Sequence, residues 1–300
     1  MSRSLGRGRP LAVVLCVLAL LLLGPSAPGG TLVARPALPP GAPTAVVEGR
    51  VMTWNLCNPC GGPELAVGRA THIAAYAPQV IGFQEACARD VERIRAHLER
   101  LYGLRYHVAY GPVLRNWGRC GGLPWRAGGF GQAILSAQPM TRRGSVEYPD
   151  GGSEDRGYLA VTTEVGGRRV RVFDTHLAQR SQAPVRAGQV RFLAAAVSRY
   201  AHAIVLGDFN AVPGSSELRP MWKVARNAAP ECGPSPTTDC ATTTDWHSTF
   251  DYVFLRGIAA RGHGVHPSRY SDHDAVHADL GPVPRTPPGS ARGAEGDPAS

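Results

Sequence analysis

The stretch Ala203-Ile-Val-Leu-Gly-Asp208-Phe-Asn210 (AIVLGDFN, 203–210) decides the fold. A short apolar run ends at a glycine, and two polar residues then flank a phenylalanine. The apolar run reads as a strand, and its polar end marks a rim. In extended chain a spacing of two sends Asp208 and Asn210 to one side and Phe209 to the other. One such ending means little, because a strand-terminal Asp or Asn caps a turn more often than it binds anything.

Four further segments repeat the pattern: Thr53-Trp54-Asn55, Gly82-Phe-Gln-Glu85, Phe173-Asp-Thr-His176 and Tyr270-Ser-Asp272-His273. Five apolar strands that each deliver Asn, Glu, Asp or His to one end would gather those groups at one rim, which is how an active site is built.

The rest of the chain fits around these strands. Strands are expected at Val46 to Asn55, Gln79 to Gln84, Arg105 to Tyr110, Gly131 to Ser136, Tyr158 to Val165, Arg169 to Thr175, Ala203 to Gly207, Thr249 to Leu255 and Ala275 to Leu280. Helical patterns cover Glu64 to Tyr76, Ala88 to Leu101 and Pro184 to Tyr200. Val165-Gly-Gly-Arg168 is a tight hairpin, which makes its strands antiparallel. Hairpins beside crossover helices imply α/β architecture with two mixed sheets packed face to face and helices outside.

The chain has 300 residues, 43% hydrophobic and 18% charged, which excludes wholesale disorder. With Gly 36 and Pro 26 it is not a long helical bundle. Residues 1–30 carry Arg3, Arg7 and Arg9 before the apolar run Leu11 to Leu23, which reads as a secretory signal too short to span a bilayer comfortably. Residues 31–45 read as a flexible linker, 46–281 as the folded domain and 282–300 as a disordered tail. Cys57, Cys60, Cys87, Cys120, Cys232 and Cys240 suit disulfides in an exported protein. Cys232 and Cys240 share one loop and form the expected local pair. Zinc or redox chemistry at Cys57-x-x-Cys60 lacks a second ligand pair.

The strand-end residues indicate the chemistry. Carboxylates and amides are hard oxygen donors suited to Mg²⁺, with Mn²⁺ or Ca²⁺ as alternatives. His176 and His273 add groups that exchange protons near neutral pH. Together they fit hydrolysis of a phosphate ester.

Taken in order, TWN (53–55), QE (84–85), DTHL (174–177), GDFN (207–210), FDY (250–252) and SDH (271–273) resemble the endonuclease/exonuclease/phosphatase superfamily, the deoxyribonuclease I-like fold, here as an exported bacterial member. The resemblance implies a four-layer α/β sandwich over most of 46–280. It makes Glu85 the main metal carboxylate, with Asn55 beside it on the metal or phosphate and Asp272 completing the metal or outer shell. It makes His176 the histidine on the phosphate, able to protonate the leaving oxygen. Asp208 and Asn210 orient the attacking water and donate to the phosphoryl group. His273 is the second catalytic histidine, with Asp251 holding its ring. Arg156 stands where relatives often carry a phosphate-contacting arginine, and a solvated loop arginine paired to Glu154 or Asp155 is the equal alternative. Ser271 reads as a turn hydroxyl, and the remaining histidines as surface or core groups.

Charge bears on the substrate. Lys223 is the only lysine, and the net charge of +9 falls to +5 over 46–281, of which several carboxylates belong to the proposed site. A polyanion is the natural partner. Gly111 to Gly129 interleaves Arg115, Arg119 and Arg126 with Trp117 and Trp125, which suits nucleic acid, an anionic membrane surface, or simply a loop stapled through Cys120. DNA is the expected substrate and phosphodiester hydrolysis the expected reaction. A sphingomyelinase or phospholipase C-type enzyme, or an inositol-phosphate phosphatase, is the alternative, and a non-catalytic binding module the third class. The protein is expected to be a secreted monomer with no protein partner.

Overall fold

The structure is a computed structural model that describes residues 35–57, 62, 64–112, 119–123, 125 and 128–281. The expected signal at 1–30, residues 31–34 of the expected linker, Cys60, Arg115, Trp117, Arg126 and the 282–300 tail lie outside the described residues. Among the described residues no helix is long and apolar enough to cross a membrane.

Among the described residues, twelve strands form two six-stranded mixed sheets. The first has the order β11 (Ala260–His266), β12 (Ala275–Leu280), β1 (Val47–Asn55), β2 (Pro78–Cys87), β4 (Phe130–Ser136) and β3 (His107–Pro112). The second has the order β5 (Thr141–Glu147), β6 (Gly157–Val165), β7 (Arg168–His176), β8 (Ala203–Asp208), β10 (Asp251–Arg256) and β9 (Arg226–Asn227). One parallel pair lies within each sheet, β1 with β2 and β7 with β8. Helices α1 (Leu65–Ala74) and α2 (Ala88–Tyr102) share a core with the first sheet, and α3 (Ala183–Val197) and α4 (Arg219–Val224) with the second.

The four layers follow from the two-residue period of the strands. Val51, Val80, Val172, Ile204 and Val253 enter the core between the sheets. Their neighbours Met52 and Ile81 pack with Ile73, Ile94 and Leu98 on one outer side. Phe173, Val205 and Phe254 pack with Leu193 and Met221 on the other. Both faces of these strands are buried, so the sequence is apolar throughout. In α2 the buried residues Val91, Ile94, Leu98 and Tyr102 form one stripe, and the helix ends at Gly103 with a left-handed φ of 70°.

The nine expected strands and three helices are present, with ends shifted by up to three residues; β2 runs through Glu85 to Cys87. Three strands and one helix were not expected. β5 is largely exposed at a sheet edge, β9 has only two residues, and β11 is a glycine-containing edge strand. None has the apolar run that marks the central strands. Disulfides join Cys232 to Cys240, as expected, and Cys87 to Cys120, and Cys57 is also disulfide-bonded.

Candidate active site

The two parallel pairs bring the polar strand ends together. Asn55 is in register with Gln84 across β1 and β2, and His176 with Asp208 across β7 and β8. Asp251 opens β10 directly opposite Asp208. Gly207 permits the close approach of β7 and β8, since a Cβ there would stand 2.3 Å from the carbonyl oxygen of Thr175. The sheets meet where Asn55 Nδ2 donates to Asp208 Oδ2 at 3.0 Å, while Asn55 Oδ1 accepts from the Cys57 N–H at 2.9 Å. The turn before β12 is docked on β1: Ser271 Oγ donates to the Asn55 carbonyl at 2.7 Å and accepts from the His273 N–H at 3.2 Å. Ser271 is therefore a turn hydroxyl, as expected.

Asp208 is the hub. Its Oδ2 is 3.3 Å from His176 Nε2 and 3.8 Å from His273 Nε2. Its Oδ1 accepts the backbone N–H of Asn210 at 2.8 Å, closing a side-chain turn that holds Asn210 at a left-handed φ of 49°. That turn, rather than continued strand alternation, returns Asn210 to the site; Phe209 does go to the opposite, outer core. Asn210 Nδ2 donates to the Leu177 carbonyl at 3.1 Å and lies 3.0 Å from His176 Nε2. Burial pushes the Asp208 carboxyl up, but the two imidazoles and the Asn210 N–H outweigh it and hold Asp208 well below the usual carboxylate range.

His273 Nδ1–H donates to Asp251 Oδ2 at 2.9 Å, and Thr243 Oγ1 donates to the same oxygen at 2.6 Å. Burial alone would lower the imidazole, but the Asp251 and Asp208 carboxylates raise it to about 10. The ring therefore carries its second proton at neutral pH. Trp246 stands edge-on to this ring at 5.2 Å and is 45% exposed.

His176 differs. Its Nδ1 is 2.6 Å from Nη1 of Arg156, which is 3% exposed and pairs with Glu154 at 2.8 Å. The ion pair of Arg156 with Glu154 is present, but the arginine is buried against His176 rather than solvated in a loop. Glu154 also binds Arg119, beside the Cys87–Cys120 disulfide.

The sequence profile described as Endonuclease/Exonuclease/phosphatase family matches residues 52–273. The chain belongs to this family. No curated protein sequence matches it. Among solved structures, TDP2 from Caenorhabditis elegans is similar at 19% identity and TM-score 0.60, covering 78% of this chain and 75% of that one. The Danio rerio TDP2 complexed with single strand DNA product has 15% identity and TM-score 0.56, covering 78% and 98%. The Bacteroides thetaiotaomicron mannosyl-6-phosphatase Bt3783 has 16% identity and TM-score 0.60, covering 77% and 98%. At these identities the likeness shows the fold, a deoxyribonuclease I-like α/β sandwich. Members of the family hydrolyse phosphoric esters and generally use a divalent metal.

The residues fit a divalent metal. Glu85 sits at a β-bulge between Phe83 and Ala86 with a left-handed φ of 48°, a strained conformation that re-aims its carboxylate. Oε1 of Glu85 lies 4.0 Å from His176 Nδ1, and Asn55 ends the adjacent strand. A second group, Asp208, Asp251 and His273, brings ligand atoms within 4.8 Å of one another, and Asp251 Oδ1 is buried without a hydrogen-bond partner. There Nδ1–H of His273 is held by Asp251, so a cation would have to displace the proton on Nε2. Asp272 contributes its carbonyl to the Asp245 N–H and its charge to His273.

Thr243 and Trp246 were not picked out from sequence, and Glu154 was named only as a possible partner of Arg156. The run Thr242-Thr243-Thr244 ahead of FDY was the available signal for the first. Its contact depends on a loop that returns to pair Thr244 with His273.

Proposed function

We propose that the protein is an exported, divalent-metal-dependent nuclease that hydrolyses DNA by attack of water on phosphorus. The observation that carries the nucleic-acid reading is the half-exposed indole of Trp246 set edge-on to His273, a stacking surface for a base beside the scissile phosphate. Trp125, 80% exposed on the arginine-containing loop, offers another. The single-strand DNA product held by a similar fold supports the reading, and the phosphatase among the relatives is why fold alone does not choose. The disulfides support export.

Each side chain then has a task. Asp208, held by Asn55 and Asn210, orients the water and takes its proton as the bond to phosphorus forms. His273, proton-loaded through Asp251, gives a proton to the leaving oxygen. Asp208 returns the proton to His273 Nε2, 3.8 Å away, and closes the cycle. His176 Nε2–H and Asn210 donate to the non-bridging phosphate oxygens. Glu85 and Asn55 would hold Mg²⁺, with Asp272 completing its ligand set or outer shell. A bound ion would polarise the phosphoryl oxygens and offset their charge.

The test is a substrate panel with Mg²⁺: single-stranded oligonucleotide, plasmid, sphingomyelin vesicles, inositol phosphates and a sugar phosphate. Fastest turnover of DNA supports the proposal. Faster release of phosphocholine or inorganic phosphate from the other substrates overturns it.

A further inference from the structure

A guanidinium has five N–H donors and no acceptor. With Arg156 Nη1 at 2.6 Å, Nδ1 of His176 must be the accepting nitrogen, so the ring's hydrogen sits on Nε2, between Asp208 Oδ2 at 3.3 Å, which accepts it, and Asn210 Nδ2 at 3.0 Å. Glu154, outside the cleft, is the strongest carboxylate partner of Arg156, and Glu85 and Asp208 add weaker attraction from within it. The two oxygens of Glu154 are divided between two arginines, Oε2 to Arg156 and Oε1 to Arg119. Arg119 opens the short turn Arg119–Gly121, and its neighbour Cys120 is bonded to Cys87 at the end of β2, two residues beyond Glu85. A chain of one covalent and three polar links thus runs from the Glu85 strand end to His176.

We propose that Arg119 and Glu154 are positioning residues for the hydrolysis. Together with the Cys87–Cys120 disulfide, they hold Arg156 against His176 Nδ1 and keep the His176 proton on Nε2, where a phosphate oxygen would meet it. This rests on His176 being the phosphate contact described above. Arg156 is almost fully buried, and a buried guanidinium without its carboxylate is strongly disfavoured, so loss of Glu154 lets Arg156 leave the ring. His176 then adopts either tautomer, and the Nδ1–H form turns a lone pair toward the phosphate. A half-exposed pair such as Arg119–Glu154 contributes little stability by itself. Its consequence is geometric, because it fixes the second oxygen of a carboxylate whose first oxygen fixes Arg156.

Long-range ¹H–¹⁵N NMR of the full chain labelled at histidine reads the tautomer directly at neutral pH. The wild type and R119K should show His176 protonated on Nε2, while E154A and C87S/C120S show mixed tautomers. With bis(p-nitrophenyl) phosphate and Mg²⁺, E154A should lower kcat about 10- to 100-fold after correction for any unfolded fraction. R119A should lower it less, and R119A/E154A should be no worse than E154A alone. An Nε2–H ring in E154A, or losses that multiply in the double variant, would overturn the proposal. The tautomer measurement needs no turnover, so it decides the matter even if the hydrolase reading of the site fails.

Discussion

Oδ2 of Asp251 accepts the Nδ1 proton of His273 at 2.9 Å, and the same aspartate faces Asp208 across the β8–β10 pair, so one imidazole is bracketed by two carboxylates. Burial works against the charged ring, and the carboxylates prevail, raising His273 to about 10. The ring is thus an acid held ready at neutral pH, with its free Nε2–H turned to the cleft.

Asp251→Asn removes the nearer of those charges. We expect kcat to fall about 10²- to 10⁴-fold, the span of a lost general acid. The sign of the pH effect follows from the raised value. In the wild type the acid form is lost only as pH climbs toward about 10, so the alkaline limb of the kcat profile lies there. In the variant that limb moves toward neutral pH. A pH–rate profile with an unmoved alkaline limb would exclude His273 as the acid.

Trp246→Ala tests the stacking surface. Base stacking on an aromatic contributes about 1–3 kcal/mol, so KM for a single-stranded oligonucleotide should rise about 5- to 100-fold. Trp246→Phe should restore most of the loss, and kcat should hold. Steady-state kinetics separates the two, and a fall in kcat at constant KM would assign Trp246 to the chemistry of His273 instead.

Asp174 gives a stability prediction. It is fully buried; its Oδ1 accepts from Gln84 Nε2 at 2.5 Å, and its Oδ2 has no hydrogen-bond partner among the described residues. Burial raises its titration well above the ordinary 3.8, against the opposing hydrogen bonds of Gln84 and the backbone. Because the folded value is the higher one, the native state retains a proton that the unfolded chain releases above 3.8, so stability falls as pH rises beyond that point. Asp174→Asn should raise the melting temperature at pH 7, and the gain should vanish in acid. A lower melting temperature at pH 7 would contradict this.

Much of this site was legible because its residues end strands that are apolar on both faces. AIVLGDFN announced both the strand and its polar end, and the motifs around Asn55, Glu85, His176 and His273 did the same. FDY was the weakest motif, yet Asp251 is in direct register with Asp208. What was not legible depends on long-range closure. Thr243 reaches Asp251 only because its loop folds back, and Trp246 carries no local signal of standing beside His273. Arg156 drew attention as an arginine, but its burial between Glu154 and His176 comes from tertiary packing. The edge strands β5 and β11 escaped notice because strands with an exposed face need no continuous apolar run.

Nicking of supercoiled plasmid separates a metal-dependent DNA nuclease from the other phosphoric ester hydrolases of this fold. With Mg²⁺ or Mn²⁺ the purified protein should convert supercoiled plasmid to the open circle, and a chelator or Asp208→Asn should abolish the conversion. Intact supercoiled plasmid under every metal tested, from folded protein, would contradict the nuclease reading.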